Sequence, residues 1–226
     1  MSAIAGKRLP RRILQLLLGL FLYGIGIAFM VRGVIGAPPW DVLTQGIARY
    51  VPLTFGTITV LTSIVVLLLW IPLRQRPGVG TILNALLVGP AVDVGFLLIP
   101  AGQPLWIRIF FFIIGLLTLA AATGLYIGAQ FGPGPRDGLM TGLHRRTGRP
   151  IWIVRTGIEV TVVAIGWLLG GNVGVGTVAF ALLVGPLCQF FMRIFAVHVE
   201  RPAAVVSPES PAQRGNTPTD GIRTLA

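Results

Sequence analysis

Six apolar stretches alternate with short polar segments along the chain, at residues 13–31, 53–73, 79–99, 105–129, 151–169 and 173–197. Each approaches the ~20 residues with which an α-helix crosses ~30 Å of hydrocarbon. Lipid offers the backbone no hydrogen bonds, so a spanning segment must satisfy its own, and the ~10-residue alternating pattern of a barrel strand is absent. The stretches therefore predict helices. Segments 42–50 and 135–144, which follow the first and fourth stretches, are too short to span at ~1.5 Å per residue. They mix apolar and polar positions and predict short helices that either lie in the interface or re-enter the membrane. The expected fold is all-α, with six transmembrane helices and two short non-spanning ones.

Composition narrows the class. Hydrophobic residues make up 54% of the chain and charged residues 11%, against about 25% charged in an ordinary soluble domain. Mean hydropathy is +0.83. This excludes a soluble enzyme and a disordered protein, which need far more polar surface. The net charge of +11 does not indicate nucleic acid, because the basic residues sit in short gaps between apolar runs and form no compact basic face.

Those gaps set an expected topology. With the N-terminus inside, the inner segments hold Lys7, Arg8, Arg11, Arg12, Arg74, Arg76, Arg136, Arg145, Arg146, Arg149, Arg193, Arg201, Arg214 and Arg223, whereas the outer ones hold Arg32, Arg49 and Arg108. The asymmetry places both termini in the cytoplasm. The first apolar run is long for a signal peptide and is followed by Arg32 instead of a small-residue cleavage site, so it reads as a retained span. The organisation expected is a basic cytoplasmic N-terminus (1–12), a first three-helix unit (13–100), a second (101–198) and a disordered cytoplasmic tail (199–226) rich in Pro, Ser and Thr.

The two units repeat each other at an offset of 96 residues. Segment 78–90, GVGTILNALLVGP, matches segment 174–186, GVGTVAFALLVGP, at ten of 13 positions. At the same offset Gly36, Pro39, Asp41, Leu43, Gly46 and Arg49 match Gly132, Pro135, Asp137, Leu139, Gly142 and Arg145, and Arg12 and Gly19 match Arg108 and Gly115. Three spans per copy is an odd number, so the second copy enters the membrane from the opposite side. The expected architecture is a 3+3 inverted repeat, a construction many secondary transporters share. Pro39-Trp40-Asp41 is expected to face out and its copy, Pro135-Arg136-Asp137, to face in.

Several residues carry candidate chemistry. Gly89-Pro90 and Gly185-Pro186 fall near the middle of the third and sixth spans, where proline removes a helical hydrogen bond. Matched breaks of this kind either mark a midplane binding site or kink the helices for packing. Asp93 shares a helical face with Pro90, and its copy is Gln189. The pair binds a cation, a proton or a polar solute, or else Asp93 bonds to a neighbouring helix. Arg155 and Glu159 are four apart and predict an in-membrane ion pair that is structural or coupled to transport. Asp41 and Asp137, each following a proline at a helix start, are helix caps or gate residues, the cap being favoured. The Gly-Val-Gly-Thr segments at 78–81 and 174–177 read as tight turns or as weak anion sites. Glycines spaced by four, Gly124, Gly128 and Gly132, suit close helix packing.

No H-E-x-x-H, G-x-S-x-G or Walker loop appears, and Cys188, His144 and His198 form no metal-ligand pattern. Neither an enzyme nor a cofactor is expected. The paired G-x-x-P-x-D segments and the doubled G-V-G-T…L-L-V-G-P segments resemble bacterial membrane proteins of the YczE type, within the YczE/YyaS/YitT grouping. The resemblance covers roughly residues 10–198 and implies a bacterial inner-membrane protein, with no substrate or catalytic residue to carry over. The second copy departs from the motif, with Gly134 and Arg136 where the first has Pro38 and Trp40. The expected function is a secondary transporter or permease for a small polar or amphipathic solute, lined by Gly89, Pro90, Asp93, Gly185, Pro186 and Gln189. The alternative is a non-transporting scaffold or regulatory factor for a partner protein. The expected surroundings are the lipid bilayer, without nucleic acid; oligomeric state is not legible.

Overall fold

A computed structural model describes residues 9–195. The tail expected at 199–226, the end of the last span and most of the basic N-terminal segment lie outside the described residues. The described residues form eight helices and no strand: α1 (Leu9–Gly33), α2 (Pro39–Ala48), α3 (Phe55–Trp70), α4 (Val79–Leu98), α5 (Leu105–Gly128), α6 (Pro135–Thr147), α7 (Ile151–Leu168) and α8 (Val175–Phe195). Helices α1, α4, α5, α7 and α8 are long and apolar enough to cross a membrane.

Helix α3, at 16 residues, is shorter than the stretch 53–73 led one to expect. Its start is set by Thr54, whose hydroxyl accepts the Thr57 N–H at 3.1 Å. Its end is set by the turn through Pro72, where the Gln75 N–H returns to the Trp70 carbonyl and Arg74 adopts φ +52°. The Gly-Pro pairs do not interrupt their helices: α4 runs continuously through Pro90 and α8 through Pro186. Proline forfeits one bond there, while the neighbouring turns hold the helix together.

The bundle is built on α1 and α5, which pack antiparallel. Leu16, Leu20, Ile27 and Met30 of α1 are buried against Phe112, Leu116, Leu119 and Tyr126 of α5. Helix α4 lies on α1 and α8 lies on α5. Away from these contacts the surface is apolar, with Leu14, Leu17 and Leu18 on α1, Leu61, Val65 and Leu68 on α3, and Leu182 and Phe190 on α8 all exposed. A water-soluble monomer does not present such continuous apolar faces, whereas hydrocarbon accepts them.

Both ends of the α1–α5 pair are tied by arginines 96 residues apart. The Arg12 guanidinium donates to the carbonyls of Ala129 (3.0 Å) and Gln130 (3.2 Å), just beyond α5. Arg108 donates to Gly33 (2.9 Å) and Val34 (2.7 Å), at the end of α1. Adding 96 to one acceptor pair gives the other. The rule extends further. Gly80 N–H donates to the Phe131 carbonyl at 2.9 Å and Gly176 N–H to Ile35 at 2.8 Å. Thr81 and Thr177 each bond the partner loop, at the Pro133 carbonyl (2.7 Å) and the Ala37 N–H (3.2 Å). Both loops turn at a glycine in the left-handed region, Gly36 (φ +129°) and Gly132 (φ +121°), where a side chain would be strained. These anchors give the bundle an Arg12 end and an Arg108 end. Helices α1, α4 and α7 run from the first to the second, and α3, α5 and α8 run back.

Candidate functional site

The short helices position the site. Loops 34–38 and 129–134 turn back into the bundle, so the N-termini of α2 and α6 meet near its centre instead of facing opposite sides. The Arg136 guanidinium lies 5.1 Å above the Trp40 ring. This corrects the expectation that Trp40 and Arg136 lie on opposite faces. Proline at the first position starts each helix. Gly148, at φ +67°, ends α6, whose last turn carries His144, Arg145 and Arg146.

Between these N-termini lies a cavity of about 290 Å³ to which all eight helices contribute. Its apolar walls include Val88, Leu119, Phe180 and Val184; its polar wall includes Tyr23, Thr59, Ser63, Asn84, Thr123, Tyr126 and Gln189; its charged groups are Arg136, Asp137, Arg155 and Glu159. Unbonded amides at the two helix starts add partial positive charge there. Tyr23 and Tyr126 meet edge to face with centroids 5.9 Å apart.

The charged groups pair unequally. Arg155 Nε donates to Glu159 Oε1 at 2.9 Å, as the four-residue spacing predicts. Asp137 accepts the Tyr126 hydroxyl at 3.0 Å and a bond from the Gly134 backbone, so it caps α6. Asp41 caps nothing. It is fully buried, neither oxygen accepts a hydrogen bond, and Arg136 Nη2 stands 3.9 Å away. Two differences between the halves account for this: the position matching Tyr126 is Met30, which has no hydroxyl to donate, and the position matching Gly134 is Pro38, which has no N–H.

Of the residues expected to line a site, Gly185 and Gln189 line the cavity, and Arg155, Glu159 and Asp137 join them. Gly89, Pro90, Asp93 and Pro186 are not among its lining residues. Asp93 instead caps α3: Oδ2 accepts the Thr54 hydroxyl at 2.6 Å and Oδ1 the Gly56 N–H at 2.8 Å. Gly89 sits so close to Gly56 that a Cβ on either would run into the other's carbonyl. Tyr23, Tyr126, Asn84 and Thr123 escaped the sequence reading. Polar side chains well inside apolar stretches were the available signal.

Residues 10–193 match DUF6198, a family of unknown function. An uncharacterized protein of Haemophilus influenzae is 40% identical over 80% of this chain and 83% of its own length. The uncharacterized membrane protein YczE of Bacillus subtilis is 29% identical over 85% of this chain and 93% of its own. The uncharacterized protein YyaS of the same organism is 25% identical over 80% and 92%. No solved structure matches. Together with five long apolar helices, the likeness to YczE identifies a YczE-like, multi-pass membrane protein.

Proposed function

We propose that this chain, which belongs to the family of unknown function DUF6198, is a secondary transporter or permease that carries a small polar or amphipathic solute through its central cavity. Its two halves, each of three spans and a re-entrant helix, insert in opposite directions about an axis in the membrane plane. The contacts that exchange under the 96-residue offset support this reading, as do the opposite directions of matched helices. Helix α3, at ~24 Å, spans with the help of its flanking turns. The excess of Lys and Arg at the Arg12 end supports an orientation in a bacterial inner membrane with that end facing the cytoplasm.

The observation that carries the proposal is the cavity's place where the two half-helix N-termini and both halves meet. Transporters of this construction hold their solutes at such a junction, because non-helical backbone deep in the membrane is tolerated where it lines a cavity. A volume of about 290 Å³ fits a small solute. Arg136, Arg155, Asp137 and Glu159 offer both signs of charge to its polar groups, and the Val88–Val184 wall meets its apolar part.

The test is a thermal-shift screen of the purified protein against pools of small solutes, followed by uptake into proteoliposomes. A stabilising solute is expected to lose its shift, and to be taken up at least tenfold more slowly, in Glu159→Gln or Arg136→Gln. If no pool shifts the melting temperature, or if both variants transport as the parent does, the transporter reading falls and the scaffold reading takes its place.

A further inference from the structure

The two halves match in their anchors but not in how their outer spans close. Helix α3 packs along α4, and the seam is tight at Gly56 and Gly89. The matching pair, α7 and α8, has no comparable packing, and Gly185, the copy of Gly89, has no neighbour that a Cβ would meet within 4 Å. Arg155, Ile158 and Glu159 of α7 and Gly185, Gln189 and Met192 of α8 line the cavity along this open seam. The cavity lining thus extends between α7 and α8 toward the Arg12 end, whereas the α3–α4 seam near the Arg108 end is packed closed.

The sequence explains which seam closes. Asp93 draws α3 onto α4 through the Thr54 hydroxyl and the Gly56 amide, and charge-assisted bonds at a helix start are the strong kind. The 96-residue offset puts Pro150, Trp152 and Gln189 where the first half has Thr54, Gly56 and Asp93. Proline has no hydroxyl or amide to donate, Trp152 carries the Cβ that the Gly56 position excludes, and glutamine accepts only as a neutral amide. Closing α7 onto α8 therefore gains one weak bond, Trp152 N–H to Gln189, at a looser fit.

We infer that Asp93, Thr54 and Gly56 form a latch that holds the cavity shut at the Arg108 end, and that releasing it lets α3 leave α4 while α7 closes on α8. The inference rests on the transporter reading and names its gate. The unequal seams bias the resting protein toward the state open at the Arg12 end. Asp93 acts here by holding the closed seam from outside the cavity.

The experiment reads both seams at once. Spin labels are placed at Leu53 and Leu97 across the α3–α4 seam, or at Ile151 and Ile194 across the α7–α8 seam, in full-length protein lacking Cys188 and reconstituted in nanodiscs. The unlatched forms are Asp93→Asn and, as the milder change, Thr54→Val, which keeps the carboxylate and serves if Asp93→Asn does not fold. In the parent, the Leu53–Leu97 distance is expected to be single and short. In the unlatched forms a longer Leu53–Leu97 population is expected to appear together with a shorter Ile151–Ile194 population in equal proportion. A Leu53–Leu97 change without the other, or no change in either seam, overturns the inference. A protein whose seams exchange but which no solute stabilises keeps the gate and loses the transporter reading. One that binds solute with both distances fixed keeps the site and loses the gate.

Discussion

Arg136 stacks on Trp40 with 5.1 Å between guanidinium and ring centroid, and each residue is the other's counterpart at the 96-residue offset. One position has thus become a cation in one half and its aromatic acceptor in the other, which joins α2 to α6 at the centre of the bundle. A stacked guanidinium of this kind contributes about 1 kcal/mol. A double-substitution cycle with Arg136→Leu and Trp40→Leu, read by chemical unfolding in detergent, is expected to give a coupling of that size. Independent, additive losses would show that the stack contributes nothing.

Asp41 and Asp137 occupy matched positions but are expected to behave oppositely. Asp137→Asn weakens the bond with the Tyr126 hydroxyl and is expected to cost about 1 kcal/mol. Asp41→Asn removes a buried carboxylate that accepts no hydrogen bond and has Arg136 only at 3.9 Å to offset its burial, and a buried charge without hydrogen bonds is itself destabilising. Its melting temperature is therefore expected to equal or exceed the parent's. A lower value for Asp41→Asn than for Asp137→Asn would contradict this account.

Arg12 and Arg108 each bridge two carbonyls of the other half. Alanine at either position is expected to destabilise by about 2 kcal/mol, because the acceptors at a helix end lose charged donors. Lysine is expected to restore little, since its single ammonium does not reproduce the guanidinium fork. Matching losses for the two alanine variants, and poor rescue by lysine, would be seen in thermal melts of the purified protein.

The two seams separate the two matched glycines. Gly89→Ala drives a methyl group into the Gly56 backbone, and overpacking of this kind costs about 1–3 kcal/mol. Gly185→Ala meets nothing and is expected to raise stability by up to about 1 kcal/mol, the helix-propensity gain of alanine over glycine. Equal effects at the two positions would mean that α7 and α8 are as tightly packed as α3 and α4.

Much of this architecture can be read from the chain alone. Long apolar runs report helices because lipid leaves the backbone no other partner, and the offset of 96 pairs Arg12 with Arg108 and Asp41 with Asp137 before any coordinates are known. The Arg155–Glu159 contact follows from helical spacing. Hydropathy is silent on where a short helix points. The loops before α2 and α6 are drawn inward by Thr177 and Thr81, residues about 140 and 50 positions away, and that is why Trp40 and Arg136 meet. Asp93 looked like a cavity residue because acids inside apolar runs usually serve a site. It became a cap because the start of α3 lies beside it with a free amide and a hydroxyl. Helical periodicity ranks faces within one helix, whereas the partner of each face depends on long-range packing that local pattern does not encode.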